Sequence, residues 1–293
     1  MKTKFLLYGM IISVIGFTSC SKDTNIPTTE ASITSNDIAI SQKMDNAIDD
    51  VTFIADDQYE VSEGTLFGKM DGNYHSMLPS CVSVSDLGSN SNQRVITITF
   101  GTSAAPCMFR GRSLKGQLIL TRTLGTIFPK IMTITYNDFY INTNKLEGSA
   151  SWKREMLGSE ATLHPKTTFT MTNMTLTNST GVYTRNGERI REMTAGFLTR
   201  LSPTDDVFST YGTFTTTLTD GTVLKSLIES ATPLVHKTAC SFEQIPMPFP
   251  VSGILKLSKN DHFSTIDYGN GECDNLATLS IDGGLATSIT LGD

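Results

Sequence analysis

Apolar positions recur along this chain with three different periods. Residues 5–17 are apolar almost throughout, a run of about a dozen positions behind Lys2 and Lys4, where a membrane-spanning helix needs roughly 20. From Asn36 to about Asp57 the spacing is helical. Ile38, Met44, Ile48, Val51 and Ile54 recur among Asp, Asn and Gln, which predicts one amphipathic helix capped by Ser35 or Asn36, its apolar stripe laid on the body. The alternative over Val51-Thr52-Phe53-Ile54 is the opening of a first strand. Beyond Tyr59 the period is two, as in Arg94 to Phe100, Gly116 to Arg122, Lys130 to Tyr136, Thr167 to Thr177, Phe208 to Leu218, Gly253 to Ser258 and Asn275 to Ile281. Asn186-Gly187, Asp220-Gly221, Asn270-Gly271 and Asp282-Gly283 fall between such runs and predict tight hairpin turns. The expected fold is mainly β: an antiparallel sheet or sandwich of hairpins with one N-terminal helix. Thr and Ser on many strand faces suit a sheet wetted on one side or both. Arg185, Arg189 and Arg191 around Asn186-Gly187 are expected to guard an edge, the alternative being an anion site.

The first twenty residues set the address. Two lysines, an apolar stretch and small residues before a cysteine have the layout of a signal peptide. Phe17-Thr18-Ser19-Cys20 resembles the lipobox of bacterial lipoproteins, with Phe17 where that family prefers Leu. The resemblance implies cleavage before Cys20 and acylation of its sulfur. At about 0.8 kcal/mol per buried CH₂, several acyl chains contribute on the order of 30 kcal/mol, a permanent membrane anchor. The expected organisation is a leader over 1–19, a lipidated Ser/Thr-rich tether over 20–35 and one mostly antiparallel body over 36–293.

Charge and cysteine count narrow the role. Loss of Lys2 and Lys4 takes the 23 basic residues to 21 against 29 acidic ones, a formal charge near −8. With no cluster of Lys and Arg, nucleic acid is not an expected partner. Cys81, Cys107, Cys240 and Cys273 remain after Cys20, an even number that predicts two disulfides in an exported chain and leaves three pairings open. No two stand in C-x₂-C or C-x₄-C register, which argues against zinc.

A repeat selects among the pairings. Thr97-Ile98-Thr99-Phe100-Gly101 precedes Cys107, as Thr265-Ile266-Asp267-Tyr268-Gly269 precedes Cys273, and each has a second cysteine upstream. In an antiparallel hairpin a cysteine opening the first strand meets one just past the close of the second. Cys81 is therefore expected to join Cys107, and Cys240 to join Cys273, in duplicated hairpins near 81–107 and 240–273. The stretch from Asp267 to Asn275, with its aromatic-Gly-x-Gly-x-Cys-Asp-Asn pattern, resembles a group of uncharacterised lipoproteins of the Bacteroidetes type. Tyr183 to Gly187 and the Gly101 to Gly116 region share the resemblance. It carries no activity, and implies the outer membrane, at the periplasmic face or the cell surface.

Several residues have chemistry to offer. Asp267, Asn270, Glu272 and Asp274 are the candidate Ca²⁺ ligands, since calcium takes hard oxygens from a turn; against that, Asp and Asn in such turns usually bond their own backbone. No other cofactor is expected. Gly101-Thr102-Ser103-Ala104-Ala105 looks like a relaxed nucleophile elbow, but Pro106 and Cys107 follow where a helix should open. His75, His164, His236 and His262 show no triad or metal spacing. Asp56-Asp57 and Asp205-Asp206 are candidate carboxylate pairs for glycoside hydrolysis. Met247 and Phe249, in the Pro-rich stretch from Gln244 to Pro250, form either a contact patch or a lid on the core. Trp152 alone is a thin platform for a sugar. The expectation is a non-catalytic envelope lipoprotein that binds a glycan or protein partner through sheet faces or loops. The alternatives are a secreted hydrolase and a purely structural envelope component.

Overall fold

The structure, a computed structural model, describes residues 32–63, 76–125, 127–199 and 202–292. The leader, Cys20, the tether up to residue 31 and His75 lie outside the described residues. Ser32–Asp293 form one compact unit.

The unit opens with helix α1, Ser35–Glu63. Its N-cap is Thr34, one residue before the expected Ser35: Thr34 Oγ1 accepts from Asp37 N at 3.2 Å while Asp37 Oδ2 accepts from Thr34 N at 2.8 Å. This reciprocal pair satisfies two backbone donors at the helix start. The helix runs unbroken through Val51 to Ile54, so that segment opens no strand. No helix among the described residues is long and apolar enough to cross a membrane.

The rest is one antiparallel sheet of fifteen strands. Its first part comprises β1 (Ser83–Ser85), β2 (Gln93–Phe100), β3 (Cys107–Phe109), β4 (Arg112–Thr123), β5 (Lys130–Ile141), β6 (Asn144–Leu157), β7 (His164–Asn178) and β8 (Gly181–Ala195). It continues through β9 (Val207–Thr217), β10 (Val223–Ile228), β11 (Leu234–Lys237), β12 (Ser252–Lys259), β13 (His262–Asn270), β14 (Leu276–Ile281) and β15 (Thr287–Thr290). The order is a meander in which sequence neighbours pair. Two short strands leave that path: β3 pairs with β4, and β11 pairs with β9 and β12. The four-residue helix α2, Thr238–Ser241, follows β11.

Three of the four expected turns join or end strands, at Asp220-Gly221, Asn270-Gly271 and Asp282-Gly283. The fourth does not. Asn186-Gly187 lies inside the fifteen-residue strand β8, which pairs on both sides, so Arg185, Arg189 and Arg191 guard no edge. The local reason is a bulge: Asn186 Oδ1 accepts from Asn173 N at 2.7 Å, where the β7–β8 register shifts between Met171 and Met174.

That bulge belongs to a seam. Register shifts also interrupt β4–β5 at Lys115/Gln117, β5–β6 at Thr135/Phe139 and β6–β7 at Glu147/Ser149. Two glycines make the seam possible. A Cβ on Gly116, whose φ is +84°, would lie 1.9 Å from Asp138 O, and one on Gly148, at φ +96°, would lie 2.4 Å from Asn173 O. Aligned bulges raise local twist and bend a sheet. Here the sheet bends around α1, whose side chains meet partners on strands as far apart as β4, β6, β8 and β12. Ile40, Met44, Ile48, Val51 and Ile54 of α1 are buried with Phe100, Phe139, Trp152, Phe169 and Phe214 from the sheet.

Two disulfides staple the ends of the strand order. Cys81 joins Cys107 and Cys240 joins Cys273, with Cα atoms 5.7 and 5.3 Å apart. In both cases the second cysteine follows the strand that ends in aromatic-Gly, β2 or β13.

Candidate binding site

Helix α1 is amphipathic, but both of its faces are buried. Asp37, Asp45, Asp49, Asp56 and Glu60 recur at intervals that keep them on one side of a 3.6-residue helix. Opposite them the inner face of the sheet carries basic residues. Of the nine arginines in the chain, seven are directed at α1 or packed on its rings: Arg110, Arg112, Arg122, Arg154, Arg185, Arg189 and Arg191. Arg185 is the extreme case. It has no exposed surface, donates to Asp45 Oδ1 at 2.6 Å and Thr216 Oγ1 at 3.0 Å, and lies 4.4 Å above the Phe214 ring. Arg110 and Arg112 each donate to Asp50 at 2.9 Å, and Arg110 also reaches Ser241 Oγ in α2. Lys259 Nζ pairs with Asp37 at 2.5 Å near the helix N-terminus.

Burial and charge pull against each other in this lining. Burial opposes ionisation of Asp49, but the charges of Arg189, His236 and Arg110 more than offset it and hold the carboxyl well below the usual carboxylate range. For Asp50 burial wins, raising its pKa against Arg112 and Arg110. Arg110 is pushed down to about 10 by burial, with Asp50 opposing. Burial likewise lowers Arg185 and Arg191. His236 is lowered by burial despite Asp49, whose Oδ2 stands 3.3 Å from Nε2 without hydrogen-bond alignment.

Beside the C-terminal half of α1 the lining opens into a cavity of about 70 Å³. Asp56 stands at its inner wall. Its Oδ1 accepts from Trp152 Nε1 at 2.8 Å and Thr167 Oγ1 at 3.4 Å, and its Oδ2 accepts from Arg191 at 2.8 Å. Asp57 accepts from Ser76 Oγ at 2.6 Å and Met77 N at 2.9 Å. Glu60 accepts from Arg154. Phe53, Met193, Phe197 and Phe208 supply apolar wall, and Gly196 and Asp206 bring in the loop that joins β8 to β9. Asp56, Asp57 and Asp206, from two separate carboxylate pairs in the sequence, therefore line one room, and Asp205 instead accepts from Thr199 Oγ1 on the exposed side. Glu60, Arg154, Arg191 and the aromatic wall carried no motif. The signal for them was the pairing of a helical ladder of acids with alternating arginines in β8.

The other candidates have local roles. Asp267 Oδ1 accepts from Gly269 N at 2.9 Å and Asp274 Oδ1 from Leu276 N at 3.0 Å, the self-bonded form of the turn. Asn270 and Glu272 share an open groove with them, and among the described residues no three His, Cys, Asp or Glu side chains are placed to hold a metal ion. Phe249 packs half-buried against the core, 5.7 Å from the Arg112 guanidinium, and Met247 N donates to Cys240 O, an arrangement that makes the Pro-rich stretch a lid. Exposure at that corner falls instead on Phe242 and Ile245. Thr102 N donates to Ala105 O, and Ser103 Oγ accepts from Lys115, so the Gly101 to Ala105 loop is a turn leading into β3. His164 pairs with Glu192 and His262 with Asp282.

Comparison of the chain with family models, with curated proteins and with solved structures returns no match.

Proposed function

We propose that the chain is a membrane-anchored envelope lipoprotein of the outer membrane whose body binds a glycan or protein partner through its sheet faces or loops, without catalysis. The anchor rests on Lys2, Lys4, the apolar run and the Thr18-Ser19-Cys20 boundary. Two disulfides suit an oxidising compartment. One observation carries the binding role: the concave side of the sheet, where a curled sheet usually takes a ligand, is occupied by α1, and its acids are held by arginines. A partner then meets the convex Thr- and Ser-bearing face or the loops. Along α1, Asp56 lies about 33 Å from the Thr34 cap at 1.5 Å per residue.

Mass spectrometry of the native chain from membranes tests the anchor: an acylated N-terminal Cys20 is expected, and an intact Met1 would overturn it. Cross-linking on cells should capture a glycan or protein, and protease shaving then separates the surface from the periplasmic face. The second reading, a secreted hydrolase, draws on the meeting of Asp56, Asp57 and Asp206 around one cavity. Release of reducing ends from envelope polysaccharide, abolished by Asp206→Asn, would establish it in place of the first.

A further inference from the structure

The two ends of the sheet are finished differently. At the β2 end the outward backbone groups are taken up. The register with β4, and the bond from Leu124 N to Asn92 O, turn the backbone of Gln93, Val95, Thr97 and Thr99 away from β4. Thr97 and Thr99 then pair with β1. Ser89 Oγ accepts from Val95 N at 2.9 Å and donates to Val95 O at 3.2 Å, and Asn90 bonds both backbone groups of Gln93. The other end is bare. β15 pairs with β14 alone, and Leu291 N donates to Asn275 O, which fixes the ladder. Thr287 and Ile289 therefore bond β14, while the N–H and C=O of Ser288 and Thr290 point off the sheet. Among the described residues none of these four groups has a hydrogen-bond partner. Edges are commonly blunted by Lys, Pro or a bulge, and Thr287-Ser288-Ile289-Thr290 has none of these.

What lies beside this edge selects the strand that would fit it. An open groove of about 420 Å³ runs over the outer face of β13, β14 and β15, lined by Asp267, Glu272, Asp274, Leu276, Thr278 and Ser288 among others. No lysine or arginine lines it: Lys237 Nζ is bound to Gly271 O at 2.6 Å, and Lys256 pairs with Glu229 at 2.9 Å. Leu276 in its floor is 54% exposed. We propose that the β15 edge takes an extended basic peptide as an added antiparallel strand, its backbone on Ser288 and Thr290 and its lysine or arginine side chains over the acidic groove. Main-chain bonds to a sheet edge supply affinity in this mode, and alternate side chains supply specificity. A second copy of this chain paired through the same edge would lay an identical acidic groove on the same face, and like charge disfavours it.

The proposal rests on the binding role given above and names its partner class; its failure leaves the convex face and the loops as the binding surface. The test uses the full-length chain in detergent and fluorescein-labelled octapeptides, read by anisotropy. A peptide of alternating lysine and valine should bind with a dissociation constant on the order of 0.1 mM, and one of alternating glutamate and valine at least about tenfold more weakly. Opposite residues of an antiparallel pair share a face, and where they bond they direct their N–H groups at each other. Lysines opposite Ser288 and Thr290 therefore aim their backbone at β15. Methylating the lysine backbone nitrogens should abolish binding, and methylating those of the valines should leave it. Ser288→Pro removes one outward donor without touching the ladder to β14 and should weaken binding about tenfold. Glu272→Gln with Asp274→Asn should do the same while keeping the Trp152 fluorescence of the parent. Full binding by the lysine-methylated peptide, read on the parent chain, would overturn strand addition. Equal affinity for the glutamate peptide would overturn the basic partner. A dimer in light scattering that Ser288→Pro dissolves would give the edge to a second copy and overturn the peptide as its occupant.

Discussion

Asp50 is the most exposing place to perturb the interior. It is 0% exposed and accepts one hydrogen bond at 2.9 Å from each of Arg110 and Arg112, whose side chains are 6% and 3% exposed. Asp50→Asn keeps the shape and removes the charge, leaving two guanidiniums side by side in a buried setting. Each lost charge-assisted hydrogen bond costs about 1.5–3 kcal/mol, and breaking a buried pair on one side costs about 3–5 kcal/mol. For a chain of this size, with a urea slope of about 3 kcal/mol/M, the midpoint should fall by about 1–1.7 M. The assay is urea unfolding of the disulfide-intact chain at pH 7, followed by Trp152, the sole tryptophan, fully buried and bonded to Asp56. Replacing all three partners, as Asp50→Leu with Arg110→Met and Arg112→Leu, removes the desolvation penalty along with the attraction. The triple variant should recover most of the loss. A midpoint unchanged in Asp50→Asn would refute the view that these charges are paired because they are buried. A triple variant as unstable as the single one would show that the triad orients β3 against α2 through Arg110 and Ser241, beyond cancelling charge.

Three further outcomes follow from the geometry. Thr34→Ala removes one half of the reciprocal cap with Asp37 and should cost about 1 kcal/mol in the same urea assay. Gly116→Ala places a Cβ against Asp138 O at positive φ and should cost at least about 1–3 kcal/mol, with far-ultraviolet circular dichroism reporting whether the seam of bulges survives. On acidification, His236, lowered below its unfolded value near 6.5, and Asp49, held below its unfolded value near 4, both bind more protons unfolded than folded. Stability should therefore be complete above about pH 6.5, decline below it as unfolded His236 protonates, and fall more steeply below about pH 4. A His236→Gln variant with an unchanged decline between pH 6.5 and 5 would refute the first part.

How far the fold was legible depends on the range of each interaction. Alternation marked β2, β4, β5, β7, β9, β12 and β14 because a strand's two faces differ wherever one of them is buried. Strands such as β6 and β8 were passed over because their inward positions include Arg154, Arg185, Arg189 and Arg191, which do not read as apolar. The disulfide pairing followed from the repeat before Cys107 and Cys273 together with hairpin order, a local matter of which strand ends lie together. Asn186-Gly187 failed as a turn for a related reason: the backbone freedom that suits a hairpin also suits a bulge, and only the neighbouring strand selects between them.

The sequence by itself determined the element types, the antiparallel class, the sulfur pairs and the acid ladder along α1, all set within a few tens of residues. Only the tertiary structure decided that the polar side of α1 is dry. Asp45 meets Arg185 across 140 residues of chain, and that meeting depends on where Gly116 and Gly148 let the sheet bend. A charged helix face looks the same in sequence whether water or arginine covers it. The bend of the sheet brings the arginines, and with them the cavity that Asp56, Asp57 and Asp206 share.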